Sequence, residues 1–197
     1  MAITFEIYED TGIQTGTPLK GTSRAQVDNI GWKNRDLAEV YQYVDYPVNR
    51  PLDGELAGLS VHKYNFVKIS GTYPKAARLR ATITGNVNGG TSEIDILTTN
   101  KARLYYKWTS IYATPTNDIL NGSLYDPSSS IIHCPMFDTA GPQHATSKLN
   151  SMATNTTYYS SYLVTQLYVE PGAWTEFGNI GDLVIQFTLD EYDSTDV

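Results

Sequence analysis

Between Arg78 and Thr84 the sequence RLRATIT places Leu79, Ala81 and Ile83 at one parity and Arg78, Arg80, Thr82 and Thr84 at the other. Successive side chains of a strand point to opposite faces, so this two-residue period requires a strand with one face in a core and the other in water or an interface. The pattern recurs. Ile3, Phe5 and Ile7 share a parity near the start, and Leu183, Ile185, Phe187 and Leu189 do so near the end, opposite Gln186, Thr188 and Asp190. YLVTQLYVE (162–170) is apolar at both parities, as in a strand covered on both faces. VYQYVDY (40–46) and YNFVKIS (64–70) are further strand candidates. No stretch beyond about ten residues sustains a helical period. TSRAQVDNIGW (22–32) and TSKLNSMAT (146–154) read as short helical turns at most.

Turn signals separate these runs: GNVNGG (85–90), TPTND (114–118), YDPSSS (125–130), TAGPQ (139–143) and EPGAW (170–174). Many short strands with turns between them predict an all-β, antiparallel β-sandwich of jelly-roll type, with long loops and only short helices. A length of 197 residues suits a single domain, 1–197. Residues 9–26 and 113–157 read as polar excursions from it, and long ordered loops in a small domain usually carry function or contact neighbours. The acidic tail DEYDSTDV (190–197) is expected to fray or to reach another subunit.

RLYYKWTSIY (103–112) concentrates four of the chain's aromatics. Alternation splits them. Leu104, Tyr106 and Trp108 form the apolar, core-facing set, and Arg103, Tyr105 and Lys107 form an amphipathic, basic set. Tyr and Arg are enriched in protein–protein contacts. Arg103, Tyr105 and Lys107, joined by Arg78 and Arg80 if the two strands are neighbours in register, are therefore the candidate subunit-contact face. A net charge of −7 disfavours direct nucleic-acid binding. The charge is uneven, however: Lys63, Lys68, Lys75, Arg78, Arg80, Lys101, Arg103 and Lys107 meet only Glu93 and Asp95 within their span. A basic middle with acidic ends allows copies, or a copy and a partner, to attract head to tail.

Residues arranged for catalysis are hard to find. The adjacent His133 and Cys134 would point to opposite faces of an extended chain, and no zinc-ligand spacing completes them. There is no nucleophile elbow and no phosphate-cradling glycine loop; in GTPLKGTSR the lysine precedes the second glycine. Glu170 and Glu176 beside Trp174 could serve glycoside cleavage only if held roughly 5–10 Å apart in a cleft. A sugar-stacking platform would need Trp108 or Trp174 exposed. No catalytic residue, cofactor or metal is expected. The lone Cys134 permits no intrachain disulfide. The opening MAITFEIYEDTG lacks the basic and apolar regions of a secretory signal, and no apolar run is long enough to span a membrane.

Three stretches resemble virion structural proteins of tailed bacteriophages. YNFVKISGTYPKAARLRATITG (64–85) resembles a hydrophobic strand, a Ser-Gly-Thr turn and an alternating strand. GNIGDLVIQFTLDEYD (178–193) resembles the closing segment of such proteins. VYQYVDYPVNRP with the preceding IGWKNRD fits the same style. The resemblance implies a non-enzymatic subunit, assembled in the host cytoplasm and resident in the virion. Such a subunit binds other virion proteins, the major capsid protein foremost, as a multi-copy head decoration or cement protein. The alternatives are a tail, neck or baseplate component, or a carbohydrate-binding module of a fibre.

Overall fold

A computed structural model of the chain describes residues 4–28, 30, 32, 58–73, 76–87, 102–125, 132–134, 137–145, 152–169 and 180–192. They form twelve strands: β1 (Thr4–Thr11), β2 (Ser23–Gln26), β3 (Gly58–Leu59), β4 (Lys63–Tyr73), β5 (Ala76–Val87), β6 (Ala102–Thr109), β7 (Ser123–Leu124), β8 (Ile132–His133), β9 (Phe137–Asp138), β10 (Met152–Ser160), β11 (Tyr162–Val169) and β12 (Ile180–Tyr192). One turn of 3-10 helix, Pro142–His144, follows β9. Every pairing is antiparallel. The larger sheet runs β2-β1-β4-β11-β6-β7, with β3 on β11, β10 on β4, and β9 on β10; the smaller runs β12-β5-β8. The protein is all-β, as the alternation requires.

The two sheets share a core. Ala81 of β5, Ile132 of β8 and Ile185 of β12 pack with Leu104 of β6 and with Leu163 and Leu167 of β11, beside Ile30, Trp32 and Tyr125. Tyr106, Trp108 and Phe187 border this cluster. Val67 and Ile69 of β4, with Cys134 and Phe137, extend it along the same face. The apolar parities read from the sequence are therefore the inward ones: Ala81 and Ile185 are buried, whereas Gln186 is exposed.

β10 and β11 act as one long strand beside β3 and β4, with two compensating irregularities. From Leu59 to Lys63 the first strand advances four residues while its partner advances three, from Tyr168 to Thr165. From Asn65 to Lys68 the imbalance reverses, three residues against the four from Leu163 to Tyr159. A serine repairs the ladder at each bulge. Ser60 Oγ accepts the Leu167 N–H (3.0 Å) and donates to the Val61 carbonyl (2.9 Å). Ser160 Oγ accepts the Val67 N–H (2.9 Å) and donates to the Ser161 carbonyl (2.8 Å). Because a bulge shifts parity by one, Tyr159 and Tyr162, three apart, lie on the same face.

Four local readings are corrected. Ser70-Gly71-Thr72 is no turn: β4 runs through it to Tyr73, and the chain changes sheet between Tyr73 and Ala76. Gly71 has φ 126°, which glycine tolerates and other residues resist, and an irregularity in β10 lies opposite it. Ser23–Gln26 is a strand paired with Tyr8–Thr11, not a helical turn, and Met152–Thr154 belongs to β10. Asp190–Tyr192, placed in the fraying tail, end β12 opposite Ala76–Arg78. VYQYVDY, Glu170, Trp174 and Glu176 lie outside the described residues.

Candidate contact surface

The strand Ala102–Thr109 divides as its alternation predicts. Leu104 is buried, and Tyr106 and Trp108 pack on the inter-sheet core. Arg103, Tyr105 and Lys107 lie opposite Tyr168, Gln166 and Val164 and face outward from the larger sheet. All three are half-buried there. Tyr105 packs against an aromatic cluster, and the Arg103 guanidinium lies 5.9 Å from the Tyr168 ring centre.

Arg78 and Arg80 do not join them. They are in β5, whose neighbours are β12 and β8, in the other sheet. Arg80 stands opposite His133 and Thr188, at the parity opposite buried Ala81. Arg80 therefore lies on the outer side of the smaller sheet, away from Arg103, Tyr105 and Lys107. Lys63 leaves the basic group as well: it is wholly buried, paired with Glu9 at 2.8 Å. His133 is exposed and Cys134 buried, so that pair splits as expected. No group of three or more His, Cys, Asp or Glu side chains lies together among the described residues. No helix among them is long and apolar enough to cross a membrane.

The outer face of the larger sheet is not left to water. Tyr64 and Phe66 of β4 with Tyr162 and Val164 of β11 form a second apolar cluster, bordered by Tyr8, Tyr105 and Tyr159. Tyr112 and Leu120, from the loop 110–122, fold onto it and are buried. The Tyr64, Tyr112 and Tyr162 rings stand 4.7–5.9 Å apart, tilted or edge-on, within the preferred range for aromatic pairs. Burial holds the Tyr64 phenol above the ordinary tyrosine range, opposed by a hydrogen bond with the Ala113 backbone.

Polar contacts fix this loop. Gln166, wholly buried, accepts the Leu120 N–H (2.8 Å) and donates to the carbonyls of Ser60 (2.8 Å) and Asp118 (2.9 Å). His62 donates its backbone N–H to the Thr116 carbonyl (2.9 Å), and its ring Nε2 lies 2.8 Å from the Asp118 carbonyl. Burial pushes His62 below the usual imidazole range; the Asp118 carbonyl opposes this and Lys107 adds to it.

A second loop, 12–22, joins β1 to β2 and is closed on itself by paired backbone bonds between Thr15 and Lys20. It is tied to the first. Tyr112 Oη donates to the Gly12 carbonyl (2.7 Å), Gln14 Nε2 donates to the Tyr112 carbonyl (2.6 Å), and the Gln14 N–H reaches Thr114 Oγ1 (2.8 Å). Beneath them Asp10, almost wholly buried, takes two bonds from Arg24 (2.6 and 2.7 Å) and one from Tyr162 Oη (2.6 Å). The Arg24 guanidinium also covers the Phe66 ring at 4.5 Å. Burial opposes the Arg24 charge, yet Asp10 holds its pKa above the usual value; burial and then the Asp10 carboxylate push the Tyr162 phenol strongly up.

These loops present apolar side chains outward. Ile13 is 67% exposed and Leu19 42% on one; Ile111 and Ile119 are each 62% exposed on the other. Isolated exposed apolar residues are ordinary. Here four branched aliphatics sit on two loops bonded to each other and to the sheet. The sequence placed contact in excursions 9–26 and 113–157. The structure draws the limits differently: Glu9–Thr11 and Ser23–Gln26 are sheet, and Ile111 and Tyr112 precede the second range. Comparison with family models, with curated proteins and with solved structures finds no match for the chain.

Proposed function

We propose that the protein is a non-enzymatic structural subunit, present in many copies in a phage particle, and that it binds neighbouring virion subunits as a head decoration or cement protein. The observation that carries the reading is the paired-loop surface: Ile13, Leu19, Ile111 and Ile119 exposed on loops that hydrogen bonds hold in place before any partner arrives. A preformed surface loses little conformational entropy on binding, which favours a permanent contact. Arg103, Tyr105 and Lys107 flank it on the same side of the larger sheet, so the basic strand face serves as a polar rim to an aliphatic centre. The charge asymmetry of the chain supports attraction to an oppositely charged neighbour.

Quantitative mass spectrometry of purified particles tests this. The chain is expected at a copy number comparable to the capsid subunits, and Ile13→Asp with Ile111→Asp is expected to abolish its incorporation while leaving the purified protein folded. Absence from particles, or presence at only a few copies, overturns the proposal.

A further inference from the structure

The polar side chains buried on the inward face of the larger sheet include two that carry charge and one carboxamide. Glu9, Lys63 and Asn65 are each at most 1% exposed. Glu9 lies directly opposite Asn65, with Leu163 beyond it and then Trp108. Val67 and Ile69 follow on the same face of β4. Lys63 stands two residues before Asn65, at the same parity. Its ammonium reaches Glu9, the residue opposite Asn65, at 2.8 Å. It therefore leans along the strand, toward the row that holds Asn65.

Asn65 has no hydrogen bond on either its amide nitrogen or its oxygen. A wholly buried carboxamide with neither atom satisfied is rare in folded proteins. An unpartnered amide that shares a sheet face with a buried amine and a buried carboxylate is a set of reactants. We propose that Lys63 and Asn65 join through an isopeptide bond, with Glu9 as the proton carrier.

The chemistry balances without any co-reactant. The Lys63 ammonium gives a proton to the Glu9 carboxylate, an exchange that leaves two neutral groups where ions are poorly solvated. The free amine adds to Cγ of Asn65. Glu9 returns the proton to the amide nitrogen as the Cγ–N bond breaks. The second proton lost by Nζ leaves with that nitrogen, which departs as ammonium. A secondary amide replaces a primary amide and a buried ammonium, and Glu9 ends as it began. General acid–base help from a carboxylate held against the nucleophile is ordinary catalytic practice, and a fixed neighbour replaces a bimolecular encounter. Two positions along one strand face span roughly 6.6 Å, a distance that the four methylenes of lysine cover.

The test is a mass measurement on the full chain. The purified protein is expected to weigh less than its sequence by one ammonia, trypsin is expected not to cut after Lys63, and fragmentation of the peptide spanning Lys63 to Lys68 is expected to locate the link on Asn65. Glu9→Gln and Asn65→Ala are each expected to restore the full mass and cleavage after Lys63. A wild-type chain of full mass overturns the proposal. So does a chain lighter by ammonia that trypsin still cuts after Lys63, since that marks a succinimide at Asn65. A folded Glu9→Gln chain that retains the bond overturns the role of Glu9. The wild-type peptide decides the bond by itself, so a variant that fails to fold leaves the test intact.

Discussion

Replacing Gln166 with Met keeps an unbranched side chain of similar length but removes one acceptor and two donor bonds at once. The Leu120 N–H then sits on a residue only 2% exposed with no partner, and leaving a buried donor unsatisfied costs about 1–3 kcal/mol. The Ser60 carbonyl, on a wholly buried residue, loses a partner too, and buried carbonyls are more tolerant of this than N–H groups. The Asp118 carbonyl belongs to an exposed residue and can turn to water. The expected loss is about 2–4 kcal/mol, a large part of the roughly 5–15 kcal/mol that holds a domain together. Urea unfolding followed by tryptophan fluorescence reads the global change. Amide hydrogen exchange at Leu120 reads the local one and is expected to accelerate even in variant molecules that remain folded. A stability within about 0.5 kcal/mol of wild type, with Leu120 still protected, would refute the view that this glutamine clamps the loop to the sheet.

Other outcomes follow from the same contacts. Tyr162→Phe removes the buried hydroxyl on Asp10 and should cost about 1.5–3 kcal/mol in urea unfolding, the range for a hydrogen bond to a charged group. His62 has its pKa lowered on folding, so below roughly pH 6.5 the unfolded chain takes up a proton that the folded one resists. Stability is therefore lost as pH falls through that range and levels off below the folded value, and His62→Gln should flatten this part of the pH–stability curve relative to wild type. A Cβ added at Gly122 would clash with the Tyr106 carbonyl oxygen, which is backbone and cannot move aside cheaply. Gly122→Ala should thus cost about 1–3 kcal/mol and speed exchange at Ser123, whose strand is paired with Tyr105 and Tyr106.

Period-2 alternation carried the fold class because parity is a local property. Apolar side chains stand at both parities of residues 162–167, and all six residues are buried, one face against the second sheet and the other under a loop. The same reading assigned Leu104, Tyr106 and Trp108 inward and Arg103, Tyr105 and Lys107 outward, as found. Parity does not say which sheet a strand joins, and for that reason Arg78 and Arg80 could not be separated from Arg103 in advance. Nor does it locate a turn when glycine lets a strand continue, as at Gly71. The two loops were legible only as polar, turn-rich stretches. Their anchors are long-range: Gln166 holds Leu120 from 46 residues away, and Tyr112 holds Gly12 from 100. Lys63 was counted with the basic middle and Glu9 fell in a polar excursion, because their pairing joins positions 54 residues apart in sequence.

The paired loops are proposed as a contact surface between subunits of a particle. Cryo-electron microscopy of the intact particle tests it most directly. Ile13, Leu19, Ile111 and Ile119 are predicted to be buried against a neighbouring subunit in every copy of the chain. A map in which the chain is present but these four side chains face solvent would contradict it.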